Sequence, residues 1–191
     1  MDMARTLDRG LDVFGTVVGA VGPDQWANRT PCEDWDAREL LGHVVGVMQL
    51  AERMLRGDEL GSGVGVEALG DDPASDWNRA AEAVRELLAS ADLTVEHDTV
   101  LGRQPVSSTL QFPACDLYMH GWDLGRAAGR GVRIPDDVVE WLFGFFRELP
   151  QEQMRSPRVF GPEQAAPEDA DPTTRLMAFA GRSVRDWPVQ S

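Results

Sequence analysis

The chain has 191 residues, of which 42% are hydrophobic, and it carries a formal net charge of −14 at pH 7. This length is enough for one domain, or one domain with an appendage, and for a buried hydrophobic core. Because such an acidic surface repels phosphate backbones and anionic lipids, we expect no nucleic acid and no membrane partner. Two cysteines are too few for a disulfide framework, and no signal peptide is evident, so we expect a cytoplasmic protein.

The spacing of apolar residues predicts helices along most of the chain. A first helix is predicted at residues 3–21, where apolar side chains recur three and four positions apart. The second helix begins with a capping box formed by Asp36 and Glu39, and its apolar stripe ends near Gly57. Residues 57–73 are rich in glycine and in acidic residues, and are predicted to form a mobile surface loop.

Four more helices are predicted in the rest of the chain. They are expected at about 75–90, 112–129, 134–150 and 173–180, the last one ending at Gly181. Residues 93–109 lack a helical period and should form a loop or a short hairpin, and the Pro-rich tail at 155–171 should be irregular. This pattern predicts an all-α bundle at residues 1–154, with residues 155–191 packed on the same domain.

The candidate site centres on Asp116 and His120, four residues apart on one face of the fourth main helix. A carboxylate and an imidazole one turn apart can bind the same divalent metal ion. His43, in the apolar stripe of the second helix, is the candidate third ligand. A histidine on an apolar face is more often a hydrogen-bonded core residue, and Asp116 could pair with an arginine or a helix N-terminus instead. Spacing alone leaves a metal site and a structural cluster about equally favoured.

Four other residues bear on this site. Asp123 shares the side of the two candidate ligands, where it could accept the N–H of a ligand imidazole or pair with Arg126 or another helix. Cys32 is either a thiol of lowered pKa or a small buried hydrophobe, and Cys115 should pack away from the ligand face. His97 is expected at the surface, on a loop from which it could swing toward a metal.

Three segments resemble signatures of a known family. Residues 30–43, TPCEDWDARELLGH, are similar to the TPCxxWxVRxLxxHL segment of the mycothiol-dependent maleylpyruvate isomerase N-terminal family. Residues 116–124, DLYMHGWDL, resemble its second signature, in which a carboxylate stands four residues before the histidine of HxWDLA. Residues 176–182 resemble the closing helix of a common subgroup. The resemblance implies a DinB-like four-helix bundle with a short additional C-terminal helix and a small hairpin.

The resemblance also implies a chemistry. It implies that His43, Asp116 and His120 hold a divalent metal, Zn²⁺ in the first place. The ligand types leave Ni²⁺, Fe²⁺ and Mn²⁺ open, and the spacing makes Asp123 the candidate that orients a ligand imidazole. Three protein ligands leave one position open. The implied enzyme is a transferase or isomerase that uses mycothiol as thiol cosubstrate on a small electrophile. Because 191 residues leave no room for the isomerase's second domain, we expect a related thiol transfer rather than maleylpyruvate isomerisation itself.

Two other functions stay open at this point. The metal could activate a water molecule and hydrolyse a small substrate, with Asp123 or His97 as the general base. The protein could also be a non-catalytic metal-binding or ligand-binding module. An exposed helix face at residues 138–146 is compatible with a homodimer. The sequence does not name the electrophile.

Overall fold

A computed structural model describes residues 1–58, 64–99, 102–150, 155 and 160–184 of the chain. These residues are mostly helical, as predicted, and they include one small antiparallel hairpin. The helices are α1 (Met3–Val18), α2 (Ala37–Arg56), α3 (Pro73–Leu88), α4 (Val106–Thr109), α5 (Gln111–Ala127), α6 (Asp136–Glu148) and α7 (Pro172–Phe179); the strands are β1 (Glu96–Thr99) and β2 (Gly102–Pro105). None of the described helices is long and apolar enough to cross a membrane.

The long helices α1, α2, α3 and α5 contact one another in a closed cycle. Helix α1 packs on α5, α5 on α2, α2 on α3, and α3 on α1. Their inward faces form one hydrophobic core, in which side chains such as Leu7 and Leu40 are fully buried. A second core, with Leu142 at its centre, lies between α5, α6 and α7. Since α5 borders both cores, every residue from 117 to 125 is buried.

The start and the end of α2 follow the sequence prediction. The side chain of Asp36 accepts a hydrogen bond from the backbone N–H of Glu39 (2.8 Å), and Glu39 Oε2 accepts one from the N–H of Asp36 (3.0 Å). This reciprocal capping box satisfies two backbone donors that the first turn leaves free. Gly57 closes the helix in the left-handed region, at φ 75°. The helix that carries His43 therefore has both ends fixed by local sequence.

Residues 64–70 have no regular secondary structure and lie against α2 at Gly42 and Gly46. The backbone N–H of Glu67 donates to the carbonyl of Gly42 (3.1 Å), and a Cβ on Gly42 would lie 2.5 Å from the carbonyl oxygen of Glu67. The predicted loop is confirmed for this part, and its mobility stays a prediction. Two glycines one turn apart leave a groove in which the backbone of the loop is held.

The segment at 93–109 forms the hairpin that was one of its two predicted structures. In the register of β1 and β2, Glu96 lies opposite Pro105 and Thr99 opposite Gly102. Helix α4 follows β2 directly and was not predicted, because four residues are too few to show a helical period. The described residues of the tail at 155–171 are irregular, as predicted. Residues 59–63, 100–101, 151–154, 156–159 and 185–191, which include parts of the predicted loop, hairpin segment and tail, lie outside the described residues.

The end of α7 is a Schellman motif that determines where Arg182 goes. The N–H of Gly181 donates to the carbonyl of Ala178, and the N–H of Arg182 donates to the carbonyl of Met177 (both 2.9 Å). Gly181 has φ 83°, and a Cβ there would lie 2.7 Å from the backbone of Gly161. The predicted glycine stop is confirmed. It turns the chain so that Arg182 reaches α5.

Candidate metal centre

The three candidate ligands lie side by side, one from α2 and two from α5. Their ligand atoms, from His43, Asp116 and His120, are all within 4.8 Å of one another. Nε2 of His43 is 3.6 Å from Oδ2 of Asp116, and the two imidazole rings are 5.1 Å apart, edge to face. We call this group the open triad. Its role as a metal site stays a prediction.

The open triad has the ligand atoms that a divalent cation requires, and no arginine of the described residues pairs with it. The side chain of Asp116 is 33% exposed, against 15% for His43 and 10% for His120, so solvent reaches the triad from the Asp116 side. Within the described ranges, no side chain or backbone group donates a hydrogen bond to the Asp116 carboxylate. The ring of Trp35 stacks on His43, with ring centroids 4.5 Å apart, and covers that side. Two imidazoles and a carboxylate fit zinc or a similar metal.

The other nitrogen of His120 faces a second group, which we call the closed cluster: Cys32, Asp123 and Arg182. Nδ1 of His120 is 3.1 Å from Oδ2 of Asp123, and the Cys32 thiol donates to the same oxygen (3.2 Å). Arg182 donates to both carboxylate oxygens of Asp123, from Nε (3.2 Å) and from Nη2 (3.0 Å). Nη2 also donates to Sγ of Cys32 (3.3 Å). Asp123 is therefore fully partnered.

Two residues of the closed cluster could also bind a metal together with His120. Ligand atoms of Cys32, His120 and Asp123 lie within 4.8 Å of one another. However, the guanidinium of Arg182 already contacts both the thiol and the carboxylate. A metal ion there would have to displace this cation or lie beside it, at a high electrostatic cost in a buried place. Of the two groups, the open triad is the one that could accept an added cation.

The pKa values follow from these contacts. Burial alone would lower the pKa of His120, but its hydrogen bonds with Asp123 and Cys32 outweigh burial and raise the pKa to about 10. Burial would raise the pKa of Asp123, but the charge of Arg182 and the hydrogen bond with His120 hold it well below the usual range. The ionised Asp123 thus accepts the Nδ1 proton of His120, which leaves Nε2 for the open triad.

The alternative of a reactive Cys32 with a lowered pKa is wrong. Burial and the neighbouring charge of Asp123 raise the pKa of the thiol, so it stays protonated and acts as a hydrogen-bond donor. Cys115 is buried in the second core, as the sequence predicted.

Arg182 is the residue that sequence reasoning missed. The sequence offered Arg126 as the local partner of Asp123, but the guanidinium of Arg126 lies over the ring of Trp122, 4.6 Å from its centroid. The other suggested partner was a second helix, whereas the arginine observed follows the end of α7. The signal was present in Gly181, which predicts where the chain turns, but nothing in the sequence states which group the next side chain meets.

His97 lies away from both groups. It is half-buried rather than exposed, and its Nε2 is 3.0 Å from Oγ1 of Thr109. The Thr109 hydroxyl donates to the carbonyl of Val106, so His97 is the donor in the contact between them. Strand pairing in the hairpin holds His97 opposite Gln104. We therefore leave His97 out of the candidate site.

Comparisons with known proteins agree on one family. The family model described as the mycothiol maleylpyruvate isomerase N-terminal domain matches residues 7–125. Two uncharacterized proteins of Mycobacterium tuberculosis, from strains CDC 1551 / Oshkosh and H37Rv, are each 27% identical over 187 residues, covering 97% of this chain and 100% of theirs.

A solved structure is similar in fold. It is a histidine-to-alanine mutant of the mycothiol-dependent maleylpyruvate isomerase, with a TM-score of 0.50 and 15% identity over 74% of this chain and 66% of that chain. The chain therefore spans about two thirds of the length of the solved isomerase. At 15% identity the likeness concerns the fold alone.

Proposed function

Because this chain belongs to the mycothiol maleylpyruvate isomerase N-terminal domain family, we propose that it is a metal-dependent, thiol-using enzyme. It uses a low-molecular-weight thiol such as mycothiol for S-transfer to a small electrophile, or for its isomerisation. The metal, zinc in the first place, is held by His43, Asp116 and His120. The observation that carries the proposal is the open triad, in which the ligand atoms of a carboxylate and two imidazoles lie within 4.8 Å of one another.

The proposal includes the architecture that supports the site. Helices α1, α2, α3 and α5 form a DinB-like four-helix bundle. The closed cycle of contacts among these helices supports this part of the proposal. Residues 1–154 make up the bundle, and residues 155–191 are a segment packed on the same domain. Because His43 lies on α2 and the other two ligands on α5, the site joins two helices that pack directly on each other.

The chain's own residues prepare the site for its cation. Arg182 keeps Asp123 ionised, Asp123 holds the Nδ1 proton of His120, and Nε2 is thereby turned toward the other two ligands. Trp35 excludes water from one side of His43. A divalent metal with three protein ligands keeps one position open and lowers the pKa of a thiol bound there, so that the thiol is deprotonated at neutral pH. The thiolate is the nucleophile that S-transfer requires.

A metal-dependent hydrolase is the first alternative. Its two candidate general bases are both engaged elsewhere, because Asp123 is paired with Arg182 and His97 with Thr109. We therefore rank hydrolysis below thiol transfer. A non-catalytic metal-binding module is the second alternative. In that case chelation would unfold the protein, and the bound metal would have no open position.

Metal content tests the site. We expect about one zinc per chain in the wild type by elemental analysis, the content of a single mononuclear site. His43→Ala and His120→Ala should lose this zinc while their circular dichroism stays helical. His97→Ala is the matched control, because it removes the remaining histidine of the chain and lies outside the triad, so it should keep the zinc. A wild type without metal after zinc is supplied and weakly bound ions are removed would contradict the proposal.

Thiol dependence tests the chemistry. With the zinc-loaded protein, consumption of mycothiol by a panel of electrophiles should require both the protein and the metal, and should be lost in His43→Ala. Turnover of ester or amide substrates without any thiol would favour the hydrolase. Zinc binding with neither activity would favour the binding module.

A further inference from the structure

We propose that three aromatic rings beside the open triad, those of Phe112, Trp141 and Phe145, bind the flat apolar part of the electrophile. We call these rings the aromatic shelf. The substrate class that fits it is an uncharged aromatic or conjugated electrophile. This inference rests on the proposed function, since it names the substrate of the same site.

The shelf is an apolar surface that folding has left uncovered. Phe112 is 47% exposed, and it is the one aromatic side chain among the large hydrophobic residues exposed within the described ranges. Its ring meets Phe145 edge to face, with centroids 5.4 Å apart, and Phe145 in turn lies parallel to Trp141 at 6.0 Å. The last two rings are half-buried and fixed in the second core. This arrangement leaves a ring face of Phe112 available for stacking.

The shelf continues the open side of the triad. Phe112, Asp116 and His120 follow each other at four-residue intervals in α5, so they lie on adjacent turns of one face. Four residues correspond to about 6 Å along a helix, which is the length of one aromatic ring with its substituents. Asp116 is the most exposed of the triad residues, so a substrate that approaches the triad does so next to Phe112.

The charges around the site favour an uncharged substrate. The guanidinium next to the triad, that of Arg182, is buried and is used by both oxygens of Asp123. Arg182 is therefore not free to bind a substrate carboxylate, and apart from the proposed metal a dicarboxylate would approach a protein of net charge −14. A neutral ring loses no such energy and gains stacking on the shelf. With an aryl chloride, the thiolate sulfur forms a C–S bond, the C–Cl bond breaks, chloride leaves, and the thiol proton goes to solvent.

Binding without chemistry is the first test. The probe is 1,3-dinitrobenzene, an uncharged ring that has no leaving group, titrated into zinc-loaded protein and followed by ¹H line broadening of the probe. Phe112→Ala should weaken its binding by about two- to tenfold, the value of one aromatic pair. The matched control is Phe143→Ala, a half-buried ring on α6 that packs against Phe179 instead of the shelf. This control should bind the probe like the wild type.

Turnover is the second test, with 1-chloro-2,4-dinitrobenzene and mycothiol as substrates. Phe112→Ala should raise KM for the aryl chloride by about two- to tenfold and leave kcat nearly unchanged, because the ring holds the substrate and not the reacting atoms. Maleate, a small dicarboxylate, should compete poorly.

The outcomes separate this inference from the proposed function. Shelf-dependent binding of the probe without thiol consumption would keep the shelf and refute the proposed function. Thiol consumption with equal probe binding in wild type and Phe112→Ala would keep the function and refute the shelf. Tighter binding of maleate than of the probe would refute the substrate class. A wild-type dimer that Phe112→Ala converts to monomer would make the rings an interface between two copies, and would also overturn the inference.

Discussion

Each ring nitrogen of His120 faces a carboxylate, and the two carboxylates differ in burial and in their partners. On the Nε2 side, Asp116 is partly exposed, and its partner in the described structure is the imidazole of His43, 3.6 Å away, and not an arginine. On the Nδ1 side, Asp123 is fully buried and is held by two hydrogen bonds from Arg182. The difference teaches that a carboxylate which folding buries completely needs a permanent counter-ion, whereas one that keeps contact with water can bind a cation from solution.

The largest expected effect comes from removing the permanent counter-ion. Arg182→Met leaves Asp123 buried without its main partner, and we expect the free energy of unfolding to fall by about 3–5 kcal/mol. Urea denaturation of the metal-free protein measures it. The double variant Arg182→Met with Asp123→Asn removes both charges and should recover most of the loss. If Arg182→Met lowers the free energy of unfolding by less than about 1 kcal/mol, buried Asp123 does not need Arg182 as its counter-ion, and the difference inferred between Asp123 and Asp116 is wrong.

A smaller effect concerns the proton that a metal must displace from His120. Because the pKa of His120 in the metal-free protein is about 10, zinc binding between pH 7 and 9 should release close to one proton from this ring. The apparent affinity should then rise about tenfold per pH unit over that range, whereas an ordinary imidazole would already be neutral there. Calorimetry in buffers of different ionisation enthalpy measures the proton. Equal heats in all buffers would contradict the raised pKa.

The raised pKa of His120 also predicts how the stability of the metal-free protein depends on pH. The pKa of His120 is raised on folding, so its contribution to stability is fully present below the unfolded value of about 6.5 and is lost as pH rises through about 10. Asp123 behaves in the opposite sense. Because its pKa is lowered on folding, its contribution is present above about pH 4 and is lost only in strong acid.

The smallest effect acts on the open triad through the helix that carries His43. Asp36→Ala removes the N-cap of α2, and we expect a loss of about 1 kcal/mol in stability and a weaker hold on zinc. The matched control is Asp72→Ala, which removes the N-cap of α3, a helix that carries no ligand. Both variants should lose similar stability in thermal unfolding, but only the first should lose zinc affinity. Equal affinities would mean that the cap does not position His43.

Features encoded within one or two helical turns could be read from the sequence. The capping box of α2, the glycine stop after α7, and the shared face of Asp116 and His120 all depend on neighbours three to five positions away. His43 could be added because it interrupts an apolar stripe, and an interrupted stripe requires a polar partner in the core. Asp123 lies within hydrogen-bonding distance of His120, three residues away on the same helix.

Features that depend on contact between distant segments could not be read from the sequence. Arg182 is 59 residues from Asp123, and neither residue has a pattern that names the other. The groove of Gly42 and Gly46 is likewise visible only when a backbone is seen to lie in it. The pKa of Cys32 was open in the sequence, because burial and the Asp123 carboxylate, which raise it, depend on the fold.

Because Asp123 and Arg182 are far apart in the sequence, the closed cluster is completed late in synthesis of the domain. On the ribosome, Asp123 emerges before Arg182, and 59 residues at about 5–20 residues per second take about 3–12 s. During this interval α1, α2, α3 and α5 have all been synthesised, and His120 is the one described partner of Asp123 that can carry a positive charge. The helices can therefore assemble before their buried charge is balanced. Arrival of the segment after α7 then completes the pair, so this later segment rather than the first helix contacts sets the final charge state around His120.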